Sequence, residues 1–127
     1  MAVKTLLTIK KEEPNDSIRE FLKKLGEGDN LEGKIVMSAK DGEQYLGIGA
    51  LELKADKVYL NFLATQNDDL ALKLGIMKSL LNLADLRGIK TVWGNNKDFK
   101  SLYKMARFKE EGDEMKLDLE GYFTSGC

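Results

Sequence analysis

Few side chains in this sequence are equipped for chemistry. There is no histidine, which removes every His-dependent nucleophilic triad and every His-ligated zinc site at once. The one cysteine, Cys127, is the last residue. Nothing near it in sequence lowers its pKa, and a chain end positions a nucleophile poorly. Proton transfer is left to carboxylates and phenols. Glu52 and Asp56 sit near the end of one expected strand, and Asn61 on the next. A carboxylate there can deprotonate an ammonium through water, or is simply a surface acid. Glu110, Glu111, Asp113 and Glu114 form an acidic run that either attracts a cationic amine or makes a solvated turn. Asp68 and Asp69 precede a long apolar run. There they suit a helix N-cap and its dipole, a contribution of about 1 kcal/mol. Gly47 and Gly49 share one face of an expected strand. With no helix behind them they make a poor phosphate loop and a good flat place for close packing.

The elements that must position these groups follow from periodicity. VKTLLTI, from Val3 to Ile9, reads as an opening strand. Ser17 with Glu20 forms a capping box for a helix whose stripe is Ile18, Phe21, Leu22 and Leu25, stopped by Gly26. Lys34 to Ala39 and Gln44 to Lys54 are strands joined by the hairpin signal Asp41-Gly42. Val58 to Thr65 is a β-branched and aromatic strand. The apolar run that follows, from about Asp69 to Arg87, carries a polar stripe of Lys73, Lys78, Ser79, Asn82 and Asp85, with Gly88 at its C-cap. Ile89 to Trp93 is a short strand. Phe99, Leu102, Tyr103 and Ala106 mark a last helix, and Gly112-Asp113 turns a terminal hairpin.

The expected order is β-α-β-β-β-α-β-α-β-β, an α+β chain with an antiparallel meander and one parallel βαβ crossover. At 127 residues it reads as a single domain, 1–127. The apolar fraction of 43% and charged fraction of 32% are those of a soluble globular protein. The net charge of −1, with 17 lysines and only three arginines, gives no reason to expect a nucleic-acid or membrane partner. No signal-like segment and no 18-residue apolar run is present, so the expected location is cytoplasmic.

The segment VWGNNKDFKSLYKMARF, from Val92 to Phe108, resembles the GNAT superfamily of acyl-CoA-dependent N-acyltransferases. Members often carry an Asn after the fifth strand, a small residue three on, a Leu-Tyr pair, and Gly-Phe closing the helix. Asn96, Phe99, Leu102-Tyr103 and Phe108 fall at those spacings, with Phe99 in place of the small residue and Arg107 in place of Gly. LGIMKSLLNLADLRGIKTV resembles the family's preceding helix and the Arg-Gly-Ile before its fifth strand. The sequence departs from the family in the pyrophosphate loop. Gly75 matches the first glycine, but Leu72 stands at the basic or amide position and Met77 at the second glycine.

The resemblance implies a mixed-sheet fold and an acetyl-CoA or CoA cofactor site. It also implies direct attack of a small-molecule or peptide amine on the thioester. By the same resemblance, Phe62, Leu63 and Ala64 offer backbone groups to the pantetheine and acyl carbonyl, and Lys73, Leu74, Gly75 and Ile76 form the pyrophosphate segment. Asn96 lies near the pantetheine or caps the helix. Tyr103 protonates the departing thiolate as general acid, or fills core as an amphipathic aromatic. The general base is not identified, and a monomer or homodimer is equally compatible with the sequence. Two other classes stay open: a GNAT-like binding or regulatory protein that has lost CoA, and a structural domain.

Overall fold

The computed structural model describes residues 7–28 and 31–123. Seven strands and three helices follow one another as β1 (Leu7–Lys11), α1 (Asp16–Lys24), β2 (Lys34–Asp41), β3 (Gln44–Lys54), β4 (Lys57–Thr65), α2 (Leu70–Leu86), β5 (Thr91–Gly94), α3 (Lys100–Met105), β6 (Lys109–Glu111) and β7 (Glu114–Asp118). This is the order expected from the sequence. One sheet holds all seven strands as β1-β2-β3-β4-β5-β7-β6, and only β4 and β5 run parallel.

The two faces of the sheet are read from β3. Residues two apart on a strand share a face, and Gly47, Gly49 and Leu51 face α2, whereas Ile48 and Ala50 face α1. The close-packing reading of the two glycines holds. A Cβ on Gly47 would lie 2.8 Å from Ile76 Cδ1, and one on Gly49 would lie 2.5 Å from Ile76 Cγ2. Helix α2 thus rests on bare backbone. It buries Ile76, Met77, Leu80, Leu81 and Ala84 at helical spacing, with each large side chain worth about 1.5–3 kcal/mol. On the opposite face Ile18, Phe21 and Leu22 of α1 meet Val36, Ile48 and Ala50.

Local details correct several expectations. The cap of α1 is Asn15, not Ser17: its side chain accepts from Ile18 N–H at 2.9 Å. Asn15 wins because its amide also donates to Glu12 Oε2 at 2.8 Å, which holds it at the helix mouth. Only Asp69 caps α2, accepting from Leu72 N–H at 3.1 Å. Asp68 instead ends a 3-10 turn (Gln66–Asp68) with φ +50° and pairs with Lys73. β5 begins at Thr91 rather than Ile89, because Ile89 N–H is still closing the end of α2 on Ala84 O at 3.0 Å. The start of the first expected strand, residues 3–6, and Cys127 lie outside the described residues.

Candidate active site

The site grows from an irregularity in β4. Leu51 pairs with Leu60 and Ala50 with Phe62, so Asn61 is one residue too many, a β-bulge. After it the side-chain alternation is reset: Leu60 and Leu63 face α2, whereas Phe62 and Ala64 face α1. The bulge also turns two successive carbonyls toward β5. β4 and β5 are in register only at Tyr59 and Trp93. Beyond that pair no ladder joins them, and groups from the segment after β5 reach across instead. The Tyr103 hydroxyl donates to Leu60 O at 2.6 Å, and Asn96 Nδ2 donates to Asn61 O at 3.3 Å.

Tyr103 is packed to leave this arrangement little freedom. It is 1% exposed, lies edge-on to Phe99 at 6.5 Å and tilted on Phe108 at 5.0 Å. Its ring covers Gly94, where a Cβ would come 2.3 Å from Tyr Cζ. Burial pushes its pKa up to about 12, against a smaller opposing pull from the backbone of Asn96 and Asn95. Asn96 does two things: its Oδ1 accepts from Asp98 N–H at 3.0 Å to cap the 3-10 turn Lys97–Phe99, while its amide spans the gap.

Along the second half of β4 runs an open cleft of about 470 Å³. Phe62, Leu63, Ala64 and Thr65 form one wall, and Asn96, Asp98 and Phe99 another; Leu25 and Glu27 come from the end of α1, and Asp68 and Lys73 from the start of α2. Of the expected site residues, Phe62, Leu63, Ala64, Lys73 and Asn96 therefore meet at one cleft. Tyr103 does not line this cleft: it borders a second cavity of about 300 Å³ with Gly94, Asn96 and Lys100, and its hydroxyl reaches Leu60 O. Leu74, Gly75 and Ile76 lie inside α2: Ile76 is fully buried on the β3 glycines, and Gly75 faces Ile9. Thr65, Glu27 and Asp98 were not singled out in the sequence. For Thr65 a signal existed, a hydroxyl four residues before the helix cap, and its Oγ1 accepts from Asp69 N–H at 2.9 Å.

On the α1 face of the sheet the bulged residue meets Glu52. Asn61 Nδ2 donates to Glu52 Oε1 at 2.8 Å, and Asn61 Oδ1 is buried with no partner. That hydrogen bond, more than Lys34 and Lys54 nearby, holds the Glu52 carboxyl below its ordinary pKa. Two of the four acids of the hairpin run are engaged: Glu110 pairs with Lys100 at 2.9 Å, and Glu114 accepts from Tyr59 Oη at 3.0 Å. Among the described residues no group of three or more His, Cys, Asp or Glu is placed to hold a metal ion, and no helix is long and apolar enough to cross a membrane.

The overall fold is shared with solved acetyltransferases. An N-acetyltransferase from Staphylococcus aureus Mu50 superposes with a TM-score of 0.74 at 17% identity, over 91% of this chain and 99% of that one. This chain has the GNAT fold. The ribosomal-protein-S18-alanine N-acetyltransferase of Escherichia coli matches with a TM-score of 0.65 at 16% identity, over 90% and 94% of the two chains. A Bacillus subtilis acetyltransferase solved in complex with CoA matches with a TM-score of 0.63 at 14% identity, over 88% and 98%. No protein-family model matches the sequence, and no curated protein does.

A CoA molecule laid in this cleft would meet it in two halves. The pantetheine half finds an unladdered β4 wall, the apolar sides of Phe62 and Phe99, and the amide of Asn96. The nucleotide half finds the capped and acidic start of α2. The first fits and the second does not.

Proposed function

We propose that this chain is an N-acyltransferase that lays a pantetheine thioester along the second half of β4 and transfers its acyl group to an amine. The single observation that carries the reading is the bulge at Asn61 with the β4–β5 splay behind it, which exposes strand backbone to a cleft. Backbone N–H groups of an unladdered strand polarise a thioester carbonyl and stabilise the oxyanion formed on attack. The amine nitrogen bonds to the carbonyl carbon, the C–S bond breaks, sulfur leaves as thiolate, and the ammonium proton passes to water. Tyr103 serves this step as the expected acid at the apex of the gap. At a pKa of about 12 it stays protonated across the physiological range. Full transfer to a less basic thiolate is uphill, so its contribution is a hydrogen bond to the departing sulfur, made by turning the hydroxyl away from Leu60 O.

A second reading, a catalytically silent GNAT-like binding protein, is favoured by one observation. The only proton of the Tyr103 hydroxyl is already given to Leu60 O at 2.6 Å. One experiment separates the two. Thermal unfolding with acetyl-pantetheine at ~100 times its expected Kd should show about 2.7 kcal/mol of stabilisation under the transferase reading. Thiol release that depends on added amines is expected only for the transferase. Stabilisation without release across a panel of small and peptide amines, or no stabilisation at all, removes the transferase and assigns the silent protein.

A further inference from the structure

We infer that the cleft recognises its donor through the uncharged pantetheine arm and leaves the donor's phosphates unheld. This rests on the transferase reading and concerns the start of α2. A helix start binds a phosphate group when its first N–H groups are free and the dipole faces the anion. Here two of the four, those of Asp69 and Leu72, are in use. Lys73 N–H donates to Asp69 O at 3.0 Å, so the helix is already wound at Leu70 and the amides of Leu74, Gly75 and Ile76 point into its preceding turns. Leu72 N–H goes to the Asp69 carboxylate at 3.1 Å, and Asp69 N–H to Thr65 Oγ1 at 2.9 Å. Leu70 and Ala71 are left in the first turn, with the Asp69 carboxylate on it. Gly75, the one glycine of the segment, lets nothing approach from the cleft, because its missing Cβ faces Ile9 Cδ1 at 3.5 Å.

The charges point the same way. Three carboxylates line the cleft, Glu27, Asp68 and Asp98, against one ammonium, Lys73. That ammonium, with its side chain only 15% exposed, is already paired with Asp68. A pyrophosphate entering here displaces a cap, separates an ion pair and sits among like charges. A pantetheine arm does none of these, since its amides and hydroxyl need only the β4 wall and Asn96.

The test is isothermal calorimetry of the whole chain with pantetheine and with CoA, each at low and high ionic strength. The inference predicts that CoA binds no more tightly than pantetheine. It also predicts that CoA affinity rises with salt, as repulsion is screened, while pantetheine affinity stays constant. Asp68→Asn with Asp69→Asn keeps side-chain capping; it should tighten CoA on the order of tenfold at low salt and leave pantetheine unchanged. CoA binding tenfold or more tighter than pantetheine, and weakening with salt, overturns the inference and leaves the transferase reading standing. Binding of neither ligand overturns both. The wild-type salt series decides the matter even if the double variant folds poorly.

Discussion

Tyr103→Phe removes one hydroxyl and nothing else, and the structure says what that hydroxyl does. It is the donor to Leu60 O at 2.6 Å, inside a site that is 1% exposed. The ring contacts with Phe99, Phe108 and Gly94 survive the substitution. What is lost is a buried hydrogen bond, and what remains is a carbonyl of β4 without its partner. Leaving a buried acceptor unsatisfied costs about 1–3 kcal/mol. For a domain of this size ~2 kcal/mol lowers Tm by roughly 6–10 °C. The sequence alone, with the hydroxyl free to face solvent or ligand, leads to the opposite expectation of little change in stability. Urea and thermal unfolding of both proteins measure the loss. In the transferase the same substitution should lower kcat by ~10–100-fold, the size of one hydrogen bond to a charged group, with donor affinity nearly intact, since the hydroxyl matters most as thiolate forms. Unchanged stability would refute the strand-bridging role. A destabilised variant with undiminished turnover would refute the catalytic one.

Three further outcomes follow from the packing. Gly49→Ala should destabilise by ~1–3 kcal/mol, read as a lower urea midpoint, because its Cβ would meet Ile76, Leu63 and Leu80 at 2.5–3.0 Å; a neutral result would mean α2 does not rest on the β3 backbone. Arg107→Gly should stabilise by about 0.5–1 kcal/mol, the left-handed penalty at φ +74° less the added chain entropy of glycine, and a lowered midpoint would contradict it. Glu12 accepts from Ser38 Oγ at 2.7 Å, from Asn15 at 2.8 Å and from Tyr45, tying the loop before α1 to β2 and β3. Burial is the largest single influence and raises its pKa, but the bonds from Tyr45, Ser38 and Asn15 together hold it below 4.5. The folded pKa is the depressed one, so this stability is present above pH ~4.5 and fades as pH falls through the folded value. Glu12→Gln should accordingly lower the urea midpoint at pH 7 and lose that deficit in acid; a deficit that grows toward low pH would reverse the sign.

The order of elements was legible because it rests on periodicity, which a local window contains. The stripe Ile18, Phe21, Leu22 and the alternation around Gly47 and Gly49 each reappear as packed faces. The capping residue of α1 was not legible, since the choice of Asn15 over Ser17 depends on Glu12, and Glu12 depends on strands 26 and 33 residues away. The bulge at Asn61 has no local signature at all: it appears only when β3 is laid beside β4. The same holds for the candidate site. Phe62, Leu63, Ala64, Lys73 and Asn96 come together because of that bulge and the splay. Leu74, Gly75 and Ile76 fall inside α2, because a cap at Asp69 starts the helix a full turn ahead of Gly75. Arg107 illustrates the converse. Its departure from the family's glycine was visible in sequence, and its cost became visible only with φ +74°.

The central claim, that a thioester donor lies along the second half of β4, is tested most directly by titrating isotope-labelled protein with acetyl-pantetheine and following backbone amides by NMR. The account predicts saturable shifts at Phe62, Leu63, Ala64 and Asn96, with Leu70 to Leu72 at the start of α2 unmoved. Shifts confined to the helix start, or none on β4 at saturating ligand, would contradict it.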